Sequence, residues 1–200
     1  MVKVLKRVEK LGGKMYLIVG LGNPEPEYSK TRHNMGFDVI NKLAKQYEIE
    51  LSRSNFEGIY GTGIIENEKV ILLKPQTYMN LSAQSIKKYI DFYKIPLENI
   101  LVVFDDMDTE KGKIKIRKMG GPGTHNGAKS VVHELQSEQF ARIRVGIGRP
   151  IDNDEIIDYV ITPIQDEQEY KQLEIGIEKA KDAIIEYLKN GIDKAMNKFN

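Results

Sequence analysis

Apolar positions along this chain switch repeatedly between a period of two and a period near 3.6, the pattern of alternating strands and helices. Residues 16–21 predict a strand that runs into the glycine turn Gly20-Leu21-Gly22, where Asn23-Pro24 and Pro26 prevent a smooth continuation. Residues 37–47 predict a helix with Phe37, Ile40, Leu43 and Ala44 on one face. Two strands follow, 56–65 and 69–73, joined by a tight turn at Glu66-Asn67-Glu68. Residues 82–93 form a second amphipathic helix that must stop before Pro96. The continuous apolar run 100–104 reads as a buried central strand. Residues 113–117 and 143–147 read as strands, 128–135 as a helix, and the chain from about 154 to 199 as mostly helical. No repeat or linker interrupts the series. The prediction is an α/β fold: a single compact domain with a central mixed, twisted β-sheet flanked by helices on both faces.

The composition narrows the setting without changing that picture. Two hundred residues suit one domain with a substantial core. A formal net charge of +1 means that any polyanion must be met by a local patch rather than a global field. The absence of cysteine excludes disulfides, thiolate catalysis and cysteine-bound metals. No apolar run approaches the ~18 residues a membrane helix needs, so the expected location is the cytoplasm, with no membrane partner. Residues 1–14 are basic but lack the apolar stretch of a secretory signal. Translation is expected to begin at Met15, leaving 1–14 as an extension and 15–200 as the domain.

Candidate chemistry gathers beyond the predicted strand ends, in segments 23–34, 74–80, 105–108 and 120–126. If the strands leave the sheet on one side, these segments meet in one cleft, where open α/β sheets hold ligands. His33 stands out because imidazole titrates near neutral pH. The segment Asp105-Asp106-Met107-Asp108 admits three readings: a carboxylate that orients His33, a Mg²⁺ site, or solvated loop acids. His133, in an apolar helical run, reads as structural or surface. His125 lies in the glycine-rich loop 120–127, which opens a helix and could offer backbone N–H groups to a phosphate or carbonyl. Neither this loop nor Gly20-x-Gly22 has a nucleotide fingerprint, so no nucleotide cofactor is expected.

The clearest basic feature is 111–118, where alternation puts Lys113, Lys115 and Arg117 on one face and Ile114 and Ile116 on the other. Such a face is either solvated or suited to phosphates. Arg142 and Arg144 repeat the spacing on the next predicted strand, and two basic rows favour nucleic acid.

Several ordered motifs together resemble the bacterial peptidyl-tRNA hydrolase family. They are Gly20-Leu21-Gly22-Asn23-Pro24 with Thr31-Arg32-His33-Asn34, the run from Lys74 to Ser82, the run from Asp105 through Gly120-Gly121 to His125-Asn126-Gly127, and the segment from Arg142 to Pro150. The resemblance covers essentially residues 15–199. It implies a monomeric esterase with no metal and no cofactor, acting on peptidyl-tRNA without an obligate protein partner. Such an enzyme cleaves the ester joining a peptide to the 3′-terminal ribose and so recycles tRNA. By the same resemblance, His33 is the catalytic base, Asp105 its supporting carboxylate, and Asn23 a residue that separates peptidyl from aminoacyl substrates. Tyr28, Tyr78, Asn80 and Asn126 match substrate-contacting positions, and Lys115, Arg117 and Arg144 match a group near the tRNA 5′ phosphate. The loop at 122–124 departs from the family pattern, carrying proline and threonine where glycine or histidine is often found.

The residues agree with that chemistry. A neutral histidine suits proton abstraction from water, and amide side chains suit oxyanion stabilisation. With no cysteine and no Gly-x-Ser-x-Gly elbow, direct attack by water is expected rather than a covalent intermediate. The rivals are a metal-dependent phosphohydrolase built on Asp105, Asp106 and Asp108, and a non-enzymatic RNA-binding module.

Overall fold

Strand side chains alternate between two apolar layers, and each layer is covered by helices. The computed structural model describes residues 14–150, 152 and 155–200, so the expected extension lies outside the described residues apart from Lys14. The strands are β1 (Met15–Gly20), β2 (Arg53–Asn55), β3 (Gly58–Ile65), β4 (Glu68–Pro75), β5 (Ile100–Asp106), β6 (Ile114–Arg117) and β7 (Ala141–Gly146). The helices are α1 (Met35–Gln46), α2 (Ser82–Tyr93), α3 (Asn126–Leu135), α4 (Ile156–Ile161), α5 (Glu167–Asn190) and α6 (Ile192–Phe199). Ile18, Leu72, Leu101 and Val103 belong to the layer closed by α1, α5 and α6. Leu17, Val19, Ile71, Val102 and Phe104 belong to the layer closed by α2 and α3.

The seven strands form one sheet in the order β2-β3-β4-β1-β5-β7-β6. The middle four are parallel, while β2, β3 and β6 pair antiparallel at the two sides. The expected mixed α/β sheet is present, and β5, apolar from Ile100 to Phe104, lies between β1 and β7 with both faces covered. Because β4, β1 and β5 run the same way, segments 74–80, 23–34 and 105–108 leave the sheet at one edge. The fourth segment reaches that edge by another route. β6 is antiparallel, so the chain leaves it at the far end and residues 118–125 travel back across the face before α3 begins.

Two glycines let α1 approach the sheet. A Cβ on Gly20 would lie 2.1 Å from the carbonyl oxygen of Gly36, and one on Gly36 would lie 2.4 Å from Leu21 N and Val103 O. Both obstacles are backbone, which cannot move aside cheaply. The start of α1 therefore sits directly against β1 and β5, and the 3₁₀ turn Arg32–Asn34 in front of it is held over the end of β5.

β2 was not expected from the sequence. It is three polar residues long, and its hairpin turn uses Phe56 and Glu57 at φ 47° and 56° rather than turn-forming residues. The other hairpin turns at Glu66-Asn67, both also at positive φ, with Glu68 already in β4.

Candidate active site

The 3₁₀ turn places His33 beside Asp105, at the end of β5. His33 Nδ1 is 3.0 Å from both Asp105 carboxylate oxygens. Asp105 is only 3% exposed and has a second imidazole partner, His125 Nε2, 2.9 Å from its Oδ1. His125 is the N-cap of α3, where its Nδ1 accepts a hydrogen bond from Ala128 N at 3.2 Å. An accepting Nδ1 carries no proton, so the proton of neutral His125 sits on Nε2 and is donated to Asp105. Nδ1–H of His33 is donated likewise, which leaves Nε2 of His33 as the unprotonated nitrogen.

Electrostatics favour charge on both members of the pair. Burial is the strongest single influence on His33 and lowers its pKa. The charge and hydrogen bonds of Asp105 outweigh it, and the net result is raised above the ordinary histidine value. Burial pushes the Asp105 carboxyl up, but the two imidazoles together hold it well below the usual carboxylate range. Asp105 therefore stays ionised at neutral pH.

Asn23 is fixed on the same cleft. Its backbone N–H donates to Asn34 Oδ1 at 2.8 Å, and its carbonyl accepts from Asn34 Nδ2 at 3.0 Å. Its side-chain Oδ1 accepts from Met79 N at 2.9 Å. The amide is thereby oriented, and its Nδ2 has no partner among the described residues. Asn80 and Asn126 lie at the rim, exposed, at the 3₁₀ turn Met79–Leu81 and at the first turn of α3. The cleft holds about 420 Å³, with Asn23, His33, Asn80 and Asn126 on one wall. An apolar part of the lining comes from Ile156, Ile157, Val160 and Ile161 of α4.

The sequence-derived candidates do not all gather here. Tyr78, exposed, and Arg144 line the cleft, but Tyr28 is not among its lining residues. Lys115 and Arg117 lie outside it on β6, paired with Arg144 and Arg142 of β7. The expected second basic row does not exist as a surface. Arg142 is fully buried, donates to the carbonyls of Gly121, Glu138 and Phe140, and packs over the Phe140 ring at 4.2 Å. Burial lowers its pKa to about 10. Its role is to satisfy the carbonyls of the returning 118–125 loop and the turn before β7. His133 is exposed on α3, as a surface role requires.

The three carboxylates of the acidic segment do not converge on one point; Asp105 instead groups with His33 and His125, their ligand atoms within 4.8 Å of one another. Asp106 accepts from Thr109 Oγ1 at 2.5 Å, and Asp108 pairs with Arg149 while Asp105 faces the histidines. Three carboxylates with three separate partners do not form the shared aspartate site on which the phosphohydrolase rival was built.

A family model described as peptidyl-tRNA hydrolase matches residues 17–200. The chain belongs to the peptidyl-tRNA hydrolase family. It is 50% identical over 186 residues to a peptidyl-tRNA hydrolase of Caldanaerobacter subterraneus subsp. tengcongensis, covering 93% of this chain and 100% of that one. A peptidyl-tRNA hydrolase of Clostridium botulinum is 48% identical over 93% of this chain and 96% of its own length. The crystal structure of peptidyl-tRNA hydrolase from Acinetobacter baumannii superposes with a TM-score of 0.85 at 39% identity, covering 92% of this chain and 93% of that one.

The contact of His125 with Asp105 is not legible from the sequence. In the sequence His125 stands out only for its glycine-rich loop. The available signal was its position just before Asn126, at the start of a helix, where an N-cap side chain is held in place.

Proposed function

We propose that this chain hydrolyses the ester between a peptide and the 3′-terminal ribose of tRNA, with His33 as general base for a water molecule. The observation that carries this reading is the contact of His33 Nδ1 with both Asp105 oxygens. It leaves Nε2 free to take a proton on a cleft that also holds the unpartnered Nδ2 of Asn23. As water attacks, His33 becomes an imidazolium facing an ionised, buried Asp105, and that pairing lowers the energy of the charged state. The ester carbonyl gains negative charge, and a fixed N–H donor such as Asn23 Nδ2 stabilises it without reorganising. The imidazolium then returns its proton to the departing ribose oxygen. Asn23 also serves to separate peptidyl from aminoacyl substrates, while Tyr28, Tyr78, Asn80 and Asn126 contact substrate in this reading.

The enzyme works as a monomer in the cytoplasm, and residues 15–200 are its functional domain. Among the described residues no helix is long and apolar enough to cross a membrane. Turnover of N-blocked aminoacyl-tRNA, unaffected by EDTA and equal for the full chain and for residues 15–200, is the expected result. No turnover by the full chain would overturn the reading.

Lys115, Arg117 and Arg144 meet tRNA phosphates. The supporting observation is that β6 lies at the sheet edge with Arg117 exposed and Lys115 paired opposite Arg144. Neutralising Lys115 or Arg117 should raise KM, leave kcat nearly unchanged, and flatten the log–log salt dependence of binding by ~0.7–0.9 per contact. An unchanged salt slope for Arg117→Ala would mean that tRNA docks elsewhere.

A further inference from the structure

We infer that Arg32 is a positioning residue: it holds helix α4 as the apolar wall of the cleft and so sets a preference for peptides with a bulky apolar residue at the ester. The inference rests on the proposed hydrolysis and adds to it the part of the acyl group that is recognised and the residue that arranges the recognition.

Helix α4 is weakly held by its own packing, in which Tyr159 and Val160 reach the core as partly buried residues. It spans six residues, none of them fully buried, and its N-cap makes no side-chain hydrogen bond. So short a helix has little intrinsic stability. Its last turn has a further defect, because the intrahelical partner of the Tyr159 carbonyl would be the N–H of residue 163, which is proline. Arg32 supplies the missing donor, with Nη1 2.9 Å from Tyr159 O. The same guanidinium lies 4.0 Å from the centre of the Tyr159 ring. Its remaining two contacts are a bidentate pair with Glu169 in the first turn of α5, at 2.9 Å and 2.6 Å. Lys111 reinforces Glu169 at 2.8 Å, and the Tyr159 hydroxyl donates to Ile147 O at 2.6 Å.

This constellation needs the planar fork of arginine. Lysine could keep one of these bonds but not the bidentate pair, the carbonyl and the ring together. Arg32 also adjoins His33 in the chain, so one short turn carries both the proposed base and the support of the apolar wall. Ile157 on that wall is 71% exposed, a large apolar side chain left mostly uncovered by the described residues. The wall shares one cleft with His33, so an apolar side chain on the residue carrying the ester is the occupant it fits.

The test uses the full chain and two esters of the same tRNA body, N-acetylphenylalanyl and N-acetylglycyl. Arg32→Lys should lower kcat/KM for the phenylalanyl ester by about tenfold, the scale of an impaired apolar subsite, while the glycyl ester loses far less. Ile157→Ala, at an exposed position that does not support the fold, should reduce the same phenylalanyl-to-glycyl ratio. The acid limb of the pH profile should stay in place in both variants, since neither touches the His33–Asp105 pair. Equal losses on both esters in Arg32→Lys, or an unchanged ratio in either variant, would overturn the inference. If the wild type turned over neither ester, the hydrolase reading itself would fail.

Discussion

Replacing His33 with alanine should lower kcat by ~10²–10⁴, the usual contribution of a general base, with little change in the affinity for tRNA. The loss follows from the cleft's geometry. Asp105 is fully engaged and ionised, and the carboxylates of Asp106 and Asp108 are occupied by Thr109 and Arg149. His125 donates its Nε2 proton to Asp105 and accepts from Ala128 with Nδ1, so it has no free nitrogen with which to take over. Steady-state kinetics with N-blocked aminoacyl-tRNA and a binding measurement on the same variant separate the two effects. His133→Ala, on the exposed side of α3, is the control and should be nearly silent. Near-normal turnover by His33→Ala would exclude the mechanism.

Asp105→Asn should lower kcat on a similar scale, ~10²–10⁴, because it keeps the shape but removes the charge that favours imidazolium. It should also move the pH dependence in a defined direction. In the wild type, Asp105 lifts His33 against the opposing effect of burial. Without that charge, burial prevails, and the acid limb of kcat/KM should move to lower pH even as the plateau falls. Stability should respond with a matching sign. A carboxyl held below its unfolded value contributes stability that is present above the unfolded pKa, about 4, and is lost as pH falls through the lowered value. Asp105→Asn removes that contribution, so the variant's stability should depend less on pH at the acid end. Adding Asp105→Asn to His33→Ala should cost little beyond His33→Ala alone, since Asp105 acts through the histidine. Fully additive losses would give Asp105 an independent role.

The core of the fold and the His33–Asp105 pair were legible because local signals were strong. The run 100–104 of β5 is apolar without interruption, and Gly20, Gly22 and two prolines mark the end of β1. A histidine turn and an aspartate at neighbouring strand ends then follow from the parallel order of β1 and β5. What stayed hidden depends on long-range partners. Residues 120–126 were expected to arrive from a strand end on the common edge, but β6 runs antiparallel and the loop returns across the face, bringing His125 with it. Arg142 was counted with a surface row, although its neighbours Phe140, Ala141 and Ile143 are all buried. The pairing of Arg32 with Glu169 spans 137 positions and has no periodic or local signature. β2 exists only as the partner of β3, and nothing in Arg53-Ser54-Asn55 announces a strand.

The central claim is that neutral His33, its pKa raised by Asp105, is the base whose protonation limits the reaction at low pH. The most direct test is an NMR titration of the His33 imidazole in the free enzyme, set beside the acid limb of kcat/KM, which reports free-enzyme ionisations. The account predicts that both give a single value above about 6.5, the ordinary histidine value. A kinetic limb that does not coincide with the His33 titration, or a His33 that titrates below the ordinary value, would contradict it.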